Sequence, residues 1–140
     1  MDASGPIRVA IAVVMDRGRI LISRRGRSDH LAGYWEFPGG KCLSGEPPEQ
    51  CVIREVREEV GLDIQPEQEL QAIHFSYPHR HIVLFPFICR PVSGVACPLD
   101  VAEVRWILPD DLRSYRFPPA NDSLIAELID RFGQGPPSAA

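Results

Sequence analysis

Residues 39–62 hold the strongest structural signal in the chain, and their sequence is GGKCLSGEPPEQCVIREVREEVGL. Two prolines follow Glu46, and proline suits a first helical turn because its missing N–H has no partner there. Gly61 suits the left-handed position at which many helices end. The stretch therefore predicts a helix that opens within residues 46–49 and ends near Val60.

The predicted helix has two distinct faces when its residues are placed at intervals of about 100°. Its predicted buried face is apolar and consists of Val52, Val56 and Val60, with Ile53 just beyond them. Glu55, Glu58 and Glu59 follow a second face at i, i+3 and i+4. Three carboxylates are therefore expected to point the same way.

Three carboxylates on one side of a helix are unfavourable by themselves. Like charges at this spacing repel one another, and these lie in the later turns, where the helix dipole disfavours negative charge. A hard divalent cation would remove this cost, and all-oxygen ligands favour Mg²⁺ or Mn²⁺ over zinc. The alternative is an acidic face that is simply solvated, and the flanking residues decide between the two.

The flanking pattern is Gly40, five residues, Glu46, seven residues, Arg54-Glu55, Val56, one residue, Glu58-Glu59, one residue, Gly61 and Leu62. This pattern resembles the Nudix box at every position. The resemblance implies the Nudix fold, an α/β (α+β) architecture with a mixed β-sheet sandwiched between helices. It also implies a loop–helix–loop metal site and hydrolysis of a nucleoside diphosphate linked to another group.

The resemblance implies a role for each part of the box. The implied metal ligands are Gly39, through its carbonyl, and Glu55, Glu58 and Glu59. Gly40 allows tight turning of the backbone. Arg54 can fork toward a carboxylate and hold it in place. Glu46 is predicted to orient other groups, and the alternative is that it only caps the helix.

Four further segments resemble the MutT-like branch of the family, the diphosphatases that remove oxidised guanine nucleotides. They are Arg24-Arg25, Glu36-Phe37-Pro38, Arg80-His81-Ile82 and Phe117-Pro-Pro-Ala-Asn121. The resemblance implies Mg²⁺-dependent hydrolysis of a nucleoside triphosphate such as 8-oxo-dGTP to a monophosphate and pyrophosphate. His79 stands where an acidic residue is expected beside the arginine, so a pyrimidine nucleotide of the CTP type is the alternative substrate.

The residues predicted to contact the substrate are Arg25, His30, Phe37, Arg80 and Asn121. The amide of Asn121 both donates and accepts, so it could bind a guanine edge, and its alternative role is a helix N-cap. Arg25 is assigned to the phosphates, and Arg80 and His30 to the base; each could instead be an ordinary surface residue. Phe37 is predicted to pack on the base or ribose, or else to fill the core.

Glu103 is predicted to be a fourth carboxylate that reaches the metal from outside the helix; the alternative is an exposed strand residue. The predicted catalytic residues are Glu55, Glu58, Glu59 and Glu103. Bound metal would screen the polyphosphate and lower the pKa of a bound water, and we expect attack at the inner, β phosphorus. Glu55 or Glu103 would accept the proton, and the sequence leaves that choice open.

The rest of the chain predicts strands around this helix. They cover residues 8–15, 19–25, 36–40, 70–77, 80–90 and 101–108, and a closing amphipathic helix covers 119–132. Pro86 predicts an edge position or a bulge in its strand. We expect one Nudix domain over residues 1–132 and a disordered tail over 133–140.

Composition argues against several classes of protein. The net charge is −4 and no basic stripe is present, which disfavours nucleic-acid binding, whereas metal ions can link an acidic protein to a polyphosphate. The apolar runs are shorter than a membrane span, and no export signal precedes them, so we expect a cytoplasmic protein with reduced cysteines. A monomer is compatible with the sequence, and a nucleotide-binding module without catalysis is the alternative to an enzyme.

Overall fold

The computed structural model describes residues 5–26 and 32–134 of the chain. The strands are β1 (Ile7–Asp16), β2 (Arg19–Arg24), β3 (Trp35–Glu36), β4 (Gly39–Lys41), β5 (Asp63–Glu69), β6 (Ile73–Tyr77), β7 (Arg80–Ser93) and β8 (Glu103–Ile107). The helices are α1 (Pro48–Val60) and α2 (Asp122–Phe132), and two 3₁₀ segments cover Pro109–Ser114 and Pro119–Asn121.

The strands form a mixed sheet with β1 near its centre. β1 runs parallel to β7 and antiparallel to β2 and β4. β2 also pairs with β3 and β8, while β7 pairs with β5 and β6 along its other edge. A strand with partners on both edges is buried on both faces when helices cover the sheet.

The two helices cover opposite faces of this sheet, as alternation along β1 shows. Ala10, Ala12 and Val14 pack with α1, and the intervening Ile11 and Val13 pack with α2. The α1 residues in the first cluster are Cys51, Val52, Val56 and Val60. The predicted sandwich of a mixed sheet between helices is therefore confirmed, and so is the predicted buried face of α1.

The ends of α1 match their sequence signals. Pro47 is the N-cap and Pro48 the first helical residue. Gly61 adopts φ 71°, and its N–H donates to the carbonyl of Arg57. None of the helices within residues 5–26 and 32–134 is both long and apolar enough to span a membrane.

The prediction that Pro86 lies at a sheet edge is wrong. Pro86 pairs in register with Ile11 of β1, and its carbonyl accepts a hydrogen bond from Leu70 on the opposite side. The backbone N and C=O of one strand residue point to the same side of the strand. The missing N–H of Pro86 therefore faces the gap between the part of β7 that pairs with β6 and the part that pairs with β5. The proline therefore leaves no ladder bond unmade in the middle of the sheet.

Several other predicted elements also differ from the structure. β5 was not predicted, because it is polar and contains Pro66, so it has little hydrophobic alternation. The last helix begins at Asp122, after a 3₁₀ turn over Pro119–Asn121. Of the predicted tail, Gly133 and Gln134 are hydrogen-bonded to Ile129 and Asp110, and residues 135–140 lie outside the described residues.

Packing of α2 onto the sheet gives a first test of the fold. Leu128 is fully buried against the sheet, so Leu128→Ala should lower the free energy of unfolding by about 2–5 kcal/mol. Urea denaturation followed by circular dichroism measures this change. Glu127→Ala, on the exposed side of the same turn, is the matched control and should cost less than about 1 kcal/mol. Equal losses in the two variants would contradict the packing.

Candidate active site

The carboxylates of α1 meet the glycine turn that precedes the helix. The Gly39 N–H donates to Glu59 Oε1 over 3.0 Å. A Cβ on Gly40 would displace the carboxylate of Glu55, and a Cβ on Gly39 would collide with the backbone of Ala10, so the turn lies this close because residue 39 is glycine. Glu58 lies further out, with 58% of its side chain exposed. The turn and the helix therefore enclose Glu55 and Glu59 from two sides.

Burial makes these carboxylates reluctant to ionise. Desolvation raises the pKa of Glu59 to about 8; the Gly39 N–H opposes this shift, and the nearby charges of Glu36, Glu55 and Asp100 add to it. Burial also raises the pKa of Glu55, against the lowering effect of Arg54. Desolvated, mutually repelling carboxylates gain most from a positive charge placed among them.

Arg54 connects Glu46, at the start of the box, with carboxylates in the middle of α1. Its Nε and Nη2 both lie 2.9 Å from the carboxylate oxygens of Glu46, and its Nη1 lies 2.9 Å from Glu55 Oε2 and 3.1 Å from Glu58 Oε1. Hydrogen bonds from Arg54 and from the Leu43 N–H hold the pKa of Glu46 at about 2. Glu46 therefore remains anionic, and Arg54 is positioned to orient Glu55.

The donor set fits a hard divalent cation in chemistry and charge, since it consists of desolvated carboxylates beside a backbone turn. The arginine contacts nevertheless spread these side chains apart. Across residues 5–26 and 32–134, no three His, Cys, Asp or Glu side chains are grouped so as to hold an ion. Glu55 and Glu58 would have to turn from Arg54 toward Glu59 to share one.

Glu103 does not join this group. Its carboxylate lies 3.1 Å from Arg24 and 2.6 Å from Arg105. In β8, Val104 and Trp106 pack on the α1 side whereas Ile107 packs on the α2 side. Side chains alternate along a strand, so Glu103 faces away from α1. The structure therefore does not support its predicted place among the metal ligands.

Asp100 is an acidic residue close to Glu59 that the sequence did not single out. Its N–H donates to the carbonyl of Glu59 over 3.0 Å, and its charge raises the pKa of the Glu59 carboxyl. Glu36 is a second carboxylate beside Glu59 that the sequence analysis left without a role. Glu36 belongs to the sheet and Asp100 to the loop before β8, so helical periodicity could not indicate either residue. The only sequence signal for Glu36 was its place beside the box.

A cavity of about 670 Å³ opens on the α2 side of the sheet. Apolar residues of β1 and β7, including Val9 and Leu84, form part of its wall. Three predicted substrate residues also line it, and they are Arg25, Arg80 and Asn121. Glu36, Gly39 and Gly40 line it too. The Gly39 N–H donates to Glu59 and the charge of Glu36 acts on the same carboxyl, so the cavity borders the turn against which the carboxylates lie.

Asn121 is a buried amide in this cavity, with 8% exposure. It precedes α2, but its side chain makes no capping hydrogen bond. Its Nδ2 instead donates a long bond of 3.4 Å to the Pro118 carbonyl. The helix-cap alternative is therefore not realised, and the amide is available to a ligand.

The remaining predicted contacts fall in different places. Phe37 is 2% exposed and packs on Phe117 in the core beneath α2, so its predicted contact with the base or ribose is not supported. Arg25 forms a 3.0 Å ion pair with Glu36. Arg80 is exposed at the turn between β6 and β7, and His30 lies outside the described residues.

Comparison with known proteins identifies relatives of this arrangement. A family model described as the NUDIX domain matches residues 9–127. The 8-oxo-dGTP diphosphatase of Escherichia coli (strain K12) is 34% identical over 87% of this chain and 95% of its own. The CTP pyrophosphohydrolase of the same strain is 28% identical over 88% and 91%. A crystal structure of a MutT NUDIX hydrolase from Burkholderia pseudomallei superposes with a TM-score of 0.78 at 27% identity, covering 87% of this chain and 97% of that one.

The raised pKa of Glu59 makes a prediction about stability and pH. A carboxyl whose pKa is raised by folding favours the folded state when protonated, so this contribution is lost as the pH rises from about 4.5 to about 8. In the presence of a metal chelator near pH 8.5, the free energy of unfolding of Glu59→Gln should therefore exceed that of the wild type by on the order of 1–3 kcal/mol. The difference should be smaller near pH 5.

Urea titrations at the two pH values measure this difference, with Glu127→Gln on the surface of α2 as the control. A gap between Glu59→Gln and the wild type that is the same at both pH values would show that Glu59 ionises normally.

Proposed function

This chain belongs to the Nudix hydrolase family and acts on phosphoanhydride bonds, and from that premise we propose that its substrate is an oxidised guanine nucleoside triphosphate such as 8-oxo-dGTP. The products are the nucleoside monophosphate and pyrophosphate. The single observation that carries the choice of a purine is the buried amide of Asn121, which makes no capping hydrogen bond and lines the cavity together with the glycine turn.

The base fits the inner part of the cavity and the phosphates its outlet. Asn121 offers a donor and an acceptor to the base edge, and the apolar wall formed by Val9 and Leu84 can cover its faces. Arg25 lines the same cavity and is paired with Glu36. A phosphate would compete with Glu36 for the Arg25 guanidinium, which binds phosphate in the same forked geometry as carboxylate.

Mg²⁺ is the proposed cofactor, with Mn²⁺ as a substitute. Glu55, Glu58 and Glu59 would hold it with the Gly39 carbonyl, and Asp100, which lies close to Glu59, is proposed as the further carboxylate instead of Glu103. When bound, the ion neutralises charge on the polyphosphate and acidifies a nearby water. The same charge would lower the raised pKa values of Glu55 and Glu59, so that ion binding and carboxylate ionisation favour each other.

The protein groups account for proton transfer and orientation. Glu55 is the proposed general base, because Arg54 holds its carboxylate among the groups that would surround the cation. Glu103 is not proposed for that role, because it pairs with Arg24 and Arg105 on the other face of the sheet. Water then attacks the β phosphorus, the bond from that phosphorus to the oxygen bridging it to the α phosphorus breaks, and the proton passes to Glu55.

A pyrimidine nucleotide is the second candidate substrate. One relative is a CTP pyrophosphohydrolase that matches most of this chain. His79 lines the cavity next to Arg80, in the turn whose sequence departs from the expected acidic residue. The direct test is to compare specificity constants for 8-oxo-dGTP, dGTP and CTP in saturating Mg²⁺. A preference for CTP would reject the purine assignment.

Base recognition by Asn121 predicts a selective loss. Asn121→Ala removes a hydrogen-bonded pair worth about 1–3 kcal/mol, so kcat/KM for 8-oxo-dGTP should fall roughly 5- to 150-fold. The loss for CTP should be smaller, because a pyrimidine presents a different edge. Ser123→Ala, exposed in the first turn of α2, is the control. An equal loss for the two nucleotides would mean that Asn121 acts through the fold instead.

Proton transfer predicts a contrast between two glutamates. Glu55→Gln should lower kcat by about 10²–10⁴-fold, whereas Glu103→Gln, on the other face, should stay within about threefold of the wild type. Steady-state release of pyrophosphate at saturating Mg²⁺ and nucleotide measures both variants. A large loss on Glu103→Gln with normal turnover of Glu55→Gln would reverse the assignment.

A further inference from the structure

Two histidines face each other across the hairpin of β6 and β7. His74 Nδ1 lies 3.1 Å from His81 Nε2, and the centres of the two rings are 5.3 Å apart. Both side chains are exposed, and neither lines the cavity. Imidazole is the commonest protein ligand of metal ions. The pair is therefore a group of possible metal ligands that the hydrolytic site does not use.

The register of the hairpin places the two histidines on one face. Ser76 is directly opposite His81, and His74 is two residues before Ser76 in β6, so the histidines are diagonal neighbours on the same face. On the other face of the hairpin, Tyr77 and Ile82 line the cavity. Because side chains alternate along a strand, the histidine pair points away from the cavity.

The separation of the two rings is close to that of two imidazoles on one ion. Imidazole nitrogens bind Zn²⁺ at about 2.0–2.1 Å in tetrahedral geometry, which places two such nitrogens about 3.3 Å apart and their ring centres about 5 Å apart. The rings of His74 and His81 already have nearly this spacing. They need only turn in place for both nitrogens to face one ion, which would replace the proton that the nitrogens share.

Ser76 provides the second contact that a metal-binding histidine usually has. Its Oγ lies 3.0 Å from His81 Nδ1. A histidine that binds metal typically donates from its other ring nitrogen, and this hydrogen bond fixes the tautomer and the orientation of the ring. When His81 Nδ1–H donates to the Ser76 hydroxyl, the lone pair of His81 is on Nε2, toward His74. The serine thus supports the tautomer that can bind an ion at the pair.

The type of ligand distinguishes this pair from the carboxylates of α1. Imidazole nitrogens favour Zn²⁺ and Cu²⁺, whereas all-oxygen ligands favour Mg²⁺. In the part of the chain that the structure describes, no third His, Cys, Asp or Glu side chain completes a group with the two histidines. Water or an external ligand would therefore fill the remaining coordination positions of the ion.

We propose that His74 and His81 bind a divalent transition-metal ion of the Zn²⁺ and Cu²⁺ type, with the Ser76 hydroxyl accepting a hydrogen bond from His81. The site goes beyond the proposed function and does not depend on it. The two histidines lie on the strands that flank residues 78 and 79, which line the cavity. A bound ion would therefore link β6 to β7 beside the turn that borders the cavity.

Calorimetric titration of untagged protein with Zn²⁺ tests the site, with excess Mg²⁺ present to compete for the carboxylates of α1. His74→Ala and His81→Ala should each weaken Zn²⁺ binding about tenfold or more, because even the partners of metal ligands typically contribute about 10–100-fold. Ser76→Ala, which leaves both ligands in place, should weaken binding by about tenfold, and Ser76→Thr should stay within about twofold of the wild type.

The matched control is His79→Ala, a histidine of the same hairpin that lines the cavity instead. Its Zn²⁺ affinity should stay within about twofold of the wild type. His74→Gln and His81→Gln keep a hydrogen-bonding side chain and should behave like the alanine variants, which separates loss of a ligand from loss of the hairpin. A tenfold loss in His79→Ala would overturn the assignment of the ligands.

Copper gives a second readout that reports the ligand atoms directly. With one equivalent of Cu²⁺ in excess Mg²⁺, the electron paramagnetic resonance spectrum of the wild type should show coupling to ring nitrogens, since imidazole suits Cu²⁺. The double variant His74→Gln/His81→Gln should lose this coupling. Identical spectra for the two proteins, or a Zn²⁺ affinity that none of the substitutions changes, would overturn the proposal and leave an ordinary hydrogen-bonded pair.

These outcomes are distinguishable from a failure of the proposed function. Nitrogen-coupled Cu²⁺ in a protein that prefers CTP would support the histidine site and reject the purine substrate. A preference for 8-oxo-dGTP in a protein whose Cu²⁺ spectrum shows no coupling to nitrogen would do the reverse.

Discussion

Burial of negative charge against the turn before α1 is the constraint on which the rest of the site depends. Glu59 is desolvated by the same packing that seats Val52, Val56 and Val60 on the sheet, and its pKa is raised to about 8 as a result. The Gly39 N–H offsets only part of that cost. The hydrophobic packing that positions α1 on the sheet therefore also desolvates these carboxylates, and desolvated carboxylates favour a cation beside them.

The surrounding contacts keep this unfavourable charge in a defined place. Glu46 and Arg54 join the segment before the helix to its middle, and Arg54 reaches on to Glu55. The glycine turn approaches Glu55 so closely that a side chain at Gly40 would displace its carboxylate. These contacts determine the direction of each carboxylate, whereas the valines determine only how far the helix lies from the sheet.

The parts of the molecule that follow local rules could be predicted from the sequence. The limits of α1 follow from Pro48 and Gly61, and its faces follow from helical periodicity, because both depend on neighbouring residues. The assignment of Glu103 failed because the face of a strand residue depends on register, and a shift of one residue reverses it. Asp100 belongs to a loop, where no periodicity shows which way a side chain points.

Two further differences have the same origin. Pro86 is compatible with an inner strand only because the partner of β7 changes at that point, which is a property of the sheet and not of the segment. From the sequence, Phe37 could either contact a ligand or fill the core. It packs in the core, because Phe117 from a distant segment lies against its ring. The sequence therefore predicted the helix and its faces, but it did not predict which residues individual side chains contact in three dimensions.

The alternation along β1 has a consequence for how such an enzyme can change. Ala10 and Ala12 support α1, and Val9 and Ile11 line the cavity on the reverse side. Because neighbouring positions serve different surfaces, replacements in the cavity wall can change the shape of the cavity while the opposite surface keeps its packing. One scaffold can thus diversify in the nucleotides it accepts while the bond-breaking chemistry is inherited unchanged.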